Sequence, residues 1–209
     1  MVEIRAILFD ADGVFQHPTD DLEARLERAL GFVPTALAEF LAEVFEVEGS
    51  TLTGEREFEE ALEPLVKKWG ADGTAAALAA CWSSIVTDEA ILALVARLRK
   101  AGYVCALATN QQRHRGTHMS KVLGYRHHFD HSFYSWQVGY AKPDPRYFLA
   151  ISRALGLEPA AMLFIDDRAA NIAAAASLGI HTVHFIHDKT EKAVTELTRA
   201  LASFGIRYE

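Results

Sequence analysis

The chain has no basic surplus. Lys and Arg number 21 against 28 Asp and Glu, a formal net charge of −7. Binding to nucleic acid draws on cations that displace counterions from phosphates, so this balance argues against a nucleic-acid partner. Long apolar runs are missing too. The longest, around Ala75–Trp82 and Ala90–Ala96, fall far short of the roughly 20 residues needed to span a bilayer, and no membrane partner is expected. The N-terminal stretch meets Asp10 before a signal-peptide core has formed, which argues against secretion by that route. Cysteine is scarce: Cys81 and Cys105 show neither metal-ligand spacing nor a disulfide framework. Both sit in apolar surroundings, as buried thiols of a reducing compartment do. A cytoplasmic location is the expectation. There is no internal repeat, and only Ala75–Ala80 is locally biased, towards alanine.

What is present is the composition of a globular protein, 50% hydrophobic and 23% charged over 209 residues. That is enough for one large domain or a domain with an insert. The organising stretch is Ala6–Phe9, an apolar run that stops at Asp10, Asp12 and Gly13. A short run bounded by turn signals suits a strand buried on both faces of a parallel sheet. Its carboxyl end is where open α/β sheets place ligands. Taken alone, the stretch reads more readily as an ordinary Asp-Gly turn.

Beyond Phe15 the periodicity is helical for some seventy residues. Leu22–Leu30, Thr35–Phe45, Glu55–Trp69 and Thr74–Ile85 each carry a narrow apolar stripe, with Gly31 and Gly70 as stops. Helices of this kind need one another to bury their stripes, so residues 16–86 are expected to form a four-helix insert uninterrupted by strands. From Thr87 the rhythm is βα. Thr87 is the expected cap of a helix ending at Gly102, and Tyr103–Ala108 is a strand ending at Thr109 and Asn110. A polar helical segment runs to about Gly124, and a short strand lies near Phe133-Tyr134. Asp144-Pro145 opens a helix to Gly156. Met162–Ile165 is a strand meeting Asp166-Asp167, Ala169–Leu178 a helix, Thr182–Phe185 a strand and Glu191–Phe204 a closing helix. The fold class is α/β: a doubly wound, Rossmann-like parallel sheet (residues 1–15 and 87–209) with an inserted four-helix cap.

Three strands thus end in polar chemistry, at Asp10 and Asp12, at Thr109 and Asn110, and at Asp166 and Asp167, while Lys142 lies in a loop just before a helix. In a parallel sheet these ends share one edge. Two unit charges about 4 Å apart cost roughly 4 kcal/mol at an effective dielectric near 20, and several such carboxylate pairs meet here. Lys142 alone does not offset them. A divalent cation does, and an all-oxygen ligand set selects a hard one such as Mg²⁺. These group types match phosphoryl transfer: a carboxylate nucleophile, a second carboxyl for proton transfer, and a hydroxyl and ammonium for the phosphoryl oxygens. Spacing does not decide which aspartate attacks.

The ordered set Asp-Ala-Asp-Gly-Val, Ala-Thr-Asn, Ala-Lys-Pro and Ile-Asp-Asp-Arg-Ala-Ala-Asn-Ile resembles the four signature motifs of the haloacid-dehalogenase superfamily. Residues 16–86 resemble the mobile cap of the branch that inserts after the first strand. The motif contexts are closest to small sugar-phosphate phosphatases and to the phosphatase-like domain of epoxide hydrolases. The resemblance implies a Mg²⁺-dependent phosphatase acting on a small phosphorylated metabolite through an aspartyl phosphate. It makes Asp10 the nucleophile and Asp12 the general acid/base, with the Asp12 carbonyl on Mg²⁺. Thr109, Asn110 and Lys142 then bind the phosphoryl group, Asp167 is the direct metal ligand and Asp166 the water-mediated one. Asp12 favours phosphate esters over haloacids, since halide leaves without a proton. The rivals are a phosphomutase of the β-phosphoglucomutase type and a non-catalytic binding protein on the same fold. The oligomeric state is not readable.

Weaker features have two readings each. His114 and His118 are i, i+4, which suits a metal, but Arg113, Arg115 and Lys121 fit a solvated basic face. Arg126-His127-His128 and His131 read as surface loop. Asn171 either faces the site or stabilises a helix start. Thr53, Arg56 and Trp82 are candidate substrate contacts from the cap, Arg56 reaching a distal phosphate or hydroxyl. Gln16, His17 and Pro18 are candidate hinge residues.

Overall fold

In a computed structural model of the protein, which describes residues 3–190 and 192–208, strand β1 (Ala6–Phe9) is buried along its whole length. The chain turns at Gly13 and enters a short strand β2 (Gln16–Pro18). Helices α1 (Leu22–Leu30), α2 (Leu37–Gly49), α3 (Phe58–Lys68) and α4 (Ala75–Ala80) follow. A 3-10 turn over Cys81–Ser83 leads into β3 (Ile85–Thr87), which pairs antiparallel with β2. The remainder alternates: α5 (Glu89–Lys100), β4 (Val104–Thr109), α6 (Arg113–Lys121), α7 (Tyr125–His128), β5 (His131–Tyr134), α8 (Ser135–Val138), α9 (Pro145–Leu155), β6 (Met162–Asp166), α10 (Ala169–Ser177), β7 (His181–His184) and α11 (Lys192–Ser203).

The main sheet is parallel, in the order β5-β4-β1-β6-β7. Side chains alternate between its faces. Ile7, Phe9, Cys105, Leu107, Leu163 and Ile165 pack with α5 and α11, while Ala6, Leu8, Ala106, Ala108, Met162 and Phe164 pack with α9 and α10. Both faces are covered, which is why these strands read as apolar runs. Phe9 stands level with Leu107 and Ile165. One residue further along, Asp10 and Asp166 therefore emerge side by side, with Thr109 just beyond. The four helices of the insert bury a separate core around Leu26, Leu30, Phe40, Phe58, Leu62 and Leu78.

Several expected boundaries differ. The insert is not purely helical, because the chain enters and leaves it through the β2–β3 ribbon. The helix expected over Thr74–Ile85 stops at Ala80, and the β-branched run Ile85-Val86-Thr87 takes the extended form it favours. Asp88, not Thr87, caps α5, accepting from the amides of Ala90 and Ile91. The Thr87 hydroxyl is engaged with Tyr125 instead. Helix α6 ends at Lys121, short of Gly124. Glu191, expected to open the last helix, lies outside the described residues. Among those described, no helix is long and apolar enough to cross a membrane.

Candidate active site

The carboxyl ends of β1, β4 and β6 converge on one ammonium group. Lys142 Nζ lies 2.9 Å from Asp10 Oδ1 and 2.7 Å from Asp166 Oδ2, and donates to the Ala108 carbonyl at 2.9 Å. The Lys142 loop is itself held by Asn110, whose Nδ2 donates to the Lys142 carbonyl and whose Oδ1 accepts from the Lys142 amide, both at 2.8 Å. Asn110 was expected to bind substrate. Its side-chain amide is engaged in fixing Lys142, so its side chain acts on the position of the ammonium. Asn171 faces the site: its Nδ2 donates to both oxygens of Asp166 at 3.0 Å. Together with the Arg168 amide and Lys142, it leaves the fully buried Asp166 carboxylate well satisfied.

Asp167 is different. It is half-buried, and its carboxylate has no hydrogen bond or ion pair among the described residues. Burial, with Asp166 adding to it, raises its pKa against the pull of Arg168. One oxygen each of Asp10, Asp166 and Asp167 lies within 4.8 Å of the others. Gly13 makes the room: a Cβ there would stand 2.5 Å from Asp167 Oδ2, and its φ is 75°. Burial raises Asp10 to about 7 despite Lys142, with Asp166 and Asp12 pushing the same way. Three carboxylates with a single ammonium therefore carry an unbalanced negative charge, and their all-oxygen donor set fits a hard divalent cation.

The Asp12 carboxylate turns away from this group. Arg115, from α6, grips it with two parallel bonds, Nη1 to Oδ2 at 2.6 Å and Nη2 to Oδ1 at 2.7 Å. Gln16 and Gln111 donate to the same carboxylate at 3.0 and 2.7 Å. Burial would raise Asp12, but Arg115 and these hydrogen bonds outweigh it and hold the group below the usual carboxylate range. Arg115 also donates through Nε to the Trp82 carbonyl of the insert at 2.8 Å. The guanidinium thus ties the first loop to the helical insert. Thr109, buried at the end of β4, accepts from Gln111 Nε2 at 3.1 Å, which leaves its own proton free for a ligand.

A family model for haloacid dehalogenase-like hydrolases matches residues 4–179. The chain belongs to this family. Acyl-CoA dehydrogenase family member 10 of Mus musculus is 36% identical over 116 residues, covering 54% of this chain and 10% of that protein. Bifunctional epoxide hydrolase 2 of Sus scrofa is 28% identical over 219 residues, covering 94% of this chain and 38% of that protein. The chain thus spans well under half the length of these curated relatives. Among solved structures, a HAD family enzyme of Bacteroides thetaiotaomicron in complex with magnesium superposes with a TM-score of 0.77 at 22% identity, over 94% of this chain and 98% of that one. An L-2-haloacid dehalogenase superposes at 0.69 and 20% identity, over 96% and 99%. The structural likenesses establish the shared fold.

In this hydrolase the strand ends open into a cavity of about 360 Å³ whose far wall is the insert. Asp10, Asp12, Thr109, Asn110, Lys142 and Asp167 line it, as does Trp82. Arg56 does not. It is exposed and donates to the Glu60 carbonyl at 3.2 Å, as a residue just ahead of a helix does, so the expected substrate contact is absent from this arrangement. Thr53 is also outside the lining. The basic face of α6 is not simply solvated: Arg113 pairs with Glu57 and His114 with Glu59, both from the insert, and Arg115 is buried. Glu48 and Leu52, from the segment that starts at Glu48 and was expected to overhang the site, do line the cavity, whereas Arg115 is a lining residue that sequence reasoning placed on a solvated face. For Arg115 the available signal was its place in the first turn of a helix that directly follows Thr109-Asn110.

Proposed function

We propose that the protein is a Mg²⁺-dependent phosphatase that hydrolyses a small phosphate monoester through an aspartyl phosphate on Asp10. One observation carries the reading: two carboxylates two residues apart are held by two different cations, Asp10 by Lys142 and Asp12 by Arg115. A dehalogenation site has use for the first alone, whereas phosphate ester hydrolysis needs a nucleophile and a separate proton carrier. With Oδ1 of Asp10 tied to Lys142, its other oxygen is free to attack phosphorus in line with the leaving alcohol. Lys142 and the Thr109 hydroxyl meet the phosphoryl oxygens. Asp10 and Asp167 would hold the metal directly, with the Asp12 carbonyl, and Asp166 would orient this set from behind. The cation supplies positive charge to the phosphoryl oxygens as the bond to phosphorus forms.

Asp12, kept ionised by Arg115, is set as the base that takes a proton from water in the second step. To protonate the leaving oxygen in the first step it must carry a proton, so one of the two Arg115 bonds has to open when substrate binds. Residues 16–86 act as a cap over these steps, excluding water before attack. The test is phosphate release from a panel of sugar phosphates, nucleotides, phosphoglycolate and an aryl phosphate, with Mg²⁺ and with EDTA. Metal-dependent release is expected. Silence across the panel from folded protein would contradict the reading.

A further inference from the structure

The two walls of the cavity are built from different chemistry. On the core side every lining residue named above is polar. On the insert side the wall is Leu22, Leu41, Phe45, Leu52 and Trp82, of which Phe45 is 57% exposed and stands edge-on to Trp82 at a centroid distance of 6.2 Å. An exposed phenylalanine at the mouth of a cavity is a surface waiting for an apolar partner. Two charged side chains interrupt this wall. Arg25 is buried and fully engaged, with Asp21, the Thr19 carbonyl and the Cys81 carbonyl, so it offers a ligand nothing. Glu48, at the end of α2, is the other. Its carboxylate forms no ion pair among the described residues and has only a weak contact with the Gln112 side-chain amide, and burial raises it to about 7 against the pull of Arg115 and Gln112. Arg168, a further lining charge without an ion pair among the described residues, stands on the core wall beside Asp167, at the phosphoryl end.

We infer that the leaving-group site takes an apolar, flat or branched alcohol bearing one protonated amine aimed at Glu48, and not a polyhydroxylated sugar. This rests on the phosphatase reading and names its substrate class. A sugar brings several hydroxyls to a wall whose described lining is mostly apolar side chains with one carboxylate, Glu48, and each hydroxyl left without a partner on leaving water weakens binding. An apolar alcohol loses nothing on that wall, and an ammonium gives the isolated carboxylate the charged partner it lacks. The leaving group is thereby placed by Leu41, Phe45 and Trp82, with Glu48 fixing its orientation.

The experiment compares three primary-alcohol phosphates: benzyl phosphate, 4-(aminomethyl)benzyl phosphate and glucose 6-phosphate, with Mg²⁺, in the wild type and in Glu48→Gln. Benzyl phosphate should exceed glucose 6-phosphate in kcat/KM by about tenfold or more, and the amine should add roughly another tenfold over benzyl phosphate, a ratio that Glu48→Gln should bring back to about one. A glucose 6-phosphate rate equal to or above that of the benzyl esters would overturn the inference and leave the phosphatase standing, as would an amine preference that survives Glu48→Gln. Binding of the matching benzylphosphonates by calorimetry separates the two claims if no ester turns over. Tighter binding of the amine form, lost in Glu48→Gln, would keep the pocket assignment while the phosphatase reading falls. Equal binding of both forms would overturn the pocket assignment itself.

Discussion

The core wall and the insert wall of the cavity differ in how their polar groups are partnered. On the core wall, Lys142 binds two carboxylates, Asn110 fixes the Lys142 backbone and Asn171 fixes Asp166. On the insert wall, Glu48 has no charged partner in contact among the described residues and Phe45 is open to solvent. A group with fixed partners is pre-organised and keeps its position at the moment of reaction. A wall without such partners is shaped for whatever enters. On the proposed reading, the difference separates the reaction, held by the strand ends, from the choice of substrate, left to the helices.

The largest break in this comparison is Asp10→Asn. It removes the proposed nucleophile, so kcat should fall by at least about a thousandfold, and it also removes a buried negative charge. The thermal midpoint of the metal-free protein should not drop, since burial already disfavours the charged form. Steady-state assays and calorimetric melting check both halves. Next comes Arg115, which bonds to Asp12 on one wall and to the Trp82 carbonyl on the other. Arg115→Met should lower kcat by about a hundredfold with KM little changed, because what is lost is the orientation of Asp12. Arg115→Lys keeps the charge but not the two-pronged grip, and should recover only part of that loss. A KM effect in place of a kcat effect would mean that Arg115 binds substrate directly.

Gly13→Ala sharpens the comparison from the core side. The added methyl meets Asp167, and the backbone there is left-handed, so Mg²⁺ affinity in a calorimetric titration should weaken by about tenfold. The smallest effect lies where the walls join. Asp88 caps α5, accepts from His187 at 2.7 Å and donates its own amide to the Phe15 carbonyl, beside the ribbon that leads into the insert. Burial would raise its pKa, but the His187 bond and the α5 amides bring it below the usual value. A lowered carboxylate stabilises the fold above its unfolded-state pKa, and this contribution fades as pH falls through the folded-state value. Asp88→Ala should therefore cost about 1 kcal/mol in urea unfolding at neutral pH, and the difference from wild type should shrink through the acid range.

The α/β architecture was legible because the sheet strands are buried on both faces. Ala6–Phe9 and Met162–Ile165 had to be apolar throughout, and the polar residues that follow them mark one edge. The β2–β3 ribbon was hidden by its length: three residues give no alternation to read, although the β-branched run Ile85–Thr87 was a sign. The Asp12–Arg115 pair joins positions 103 residues apart. Arg113, His114 and Arg115 look alike in sequence, and only the approach of the insert and the first loop gives each a separate carboxylate. Arg56 lies outside the cavity lining for the matching reason, since one more exposed arginine at a helix start carries no mark of where the cavity lies.

The most direct test of the central claim is a rapid acid quench of the Mg²⁺-loaded protein during turnover of benzyl phosphate, followed by mass spectrometry of its peptides. The account predicts the mass of one phosphoryl group on the peptide that contains Asp10, appearing before steady state and absent from Asp10→Asn. Turnover with no phosphorylated peptide at any time, or with the group on a different residue, would contradict it.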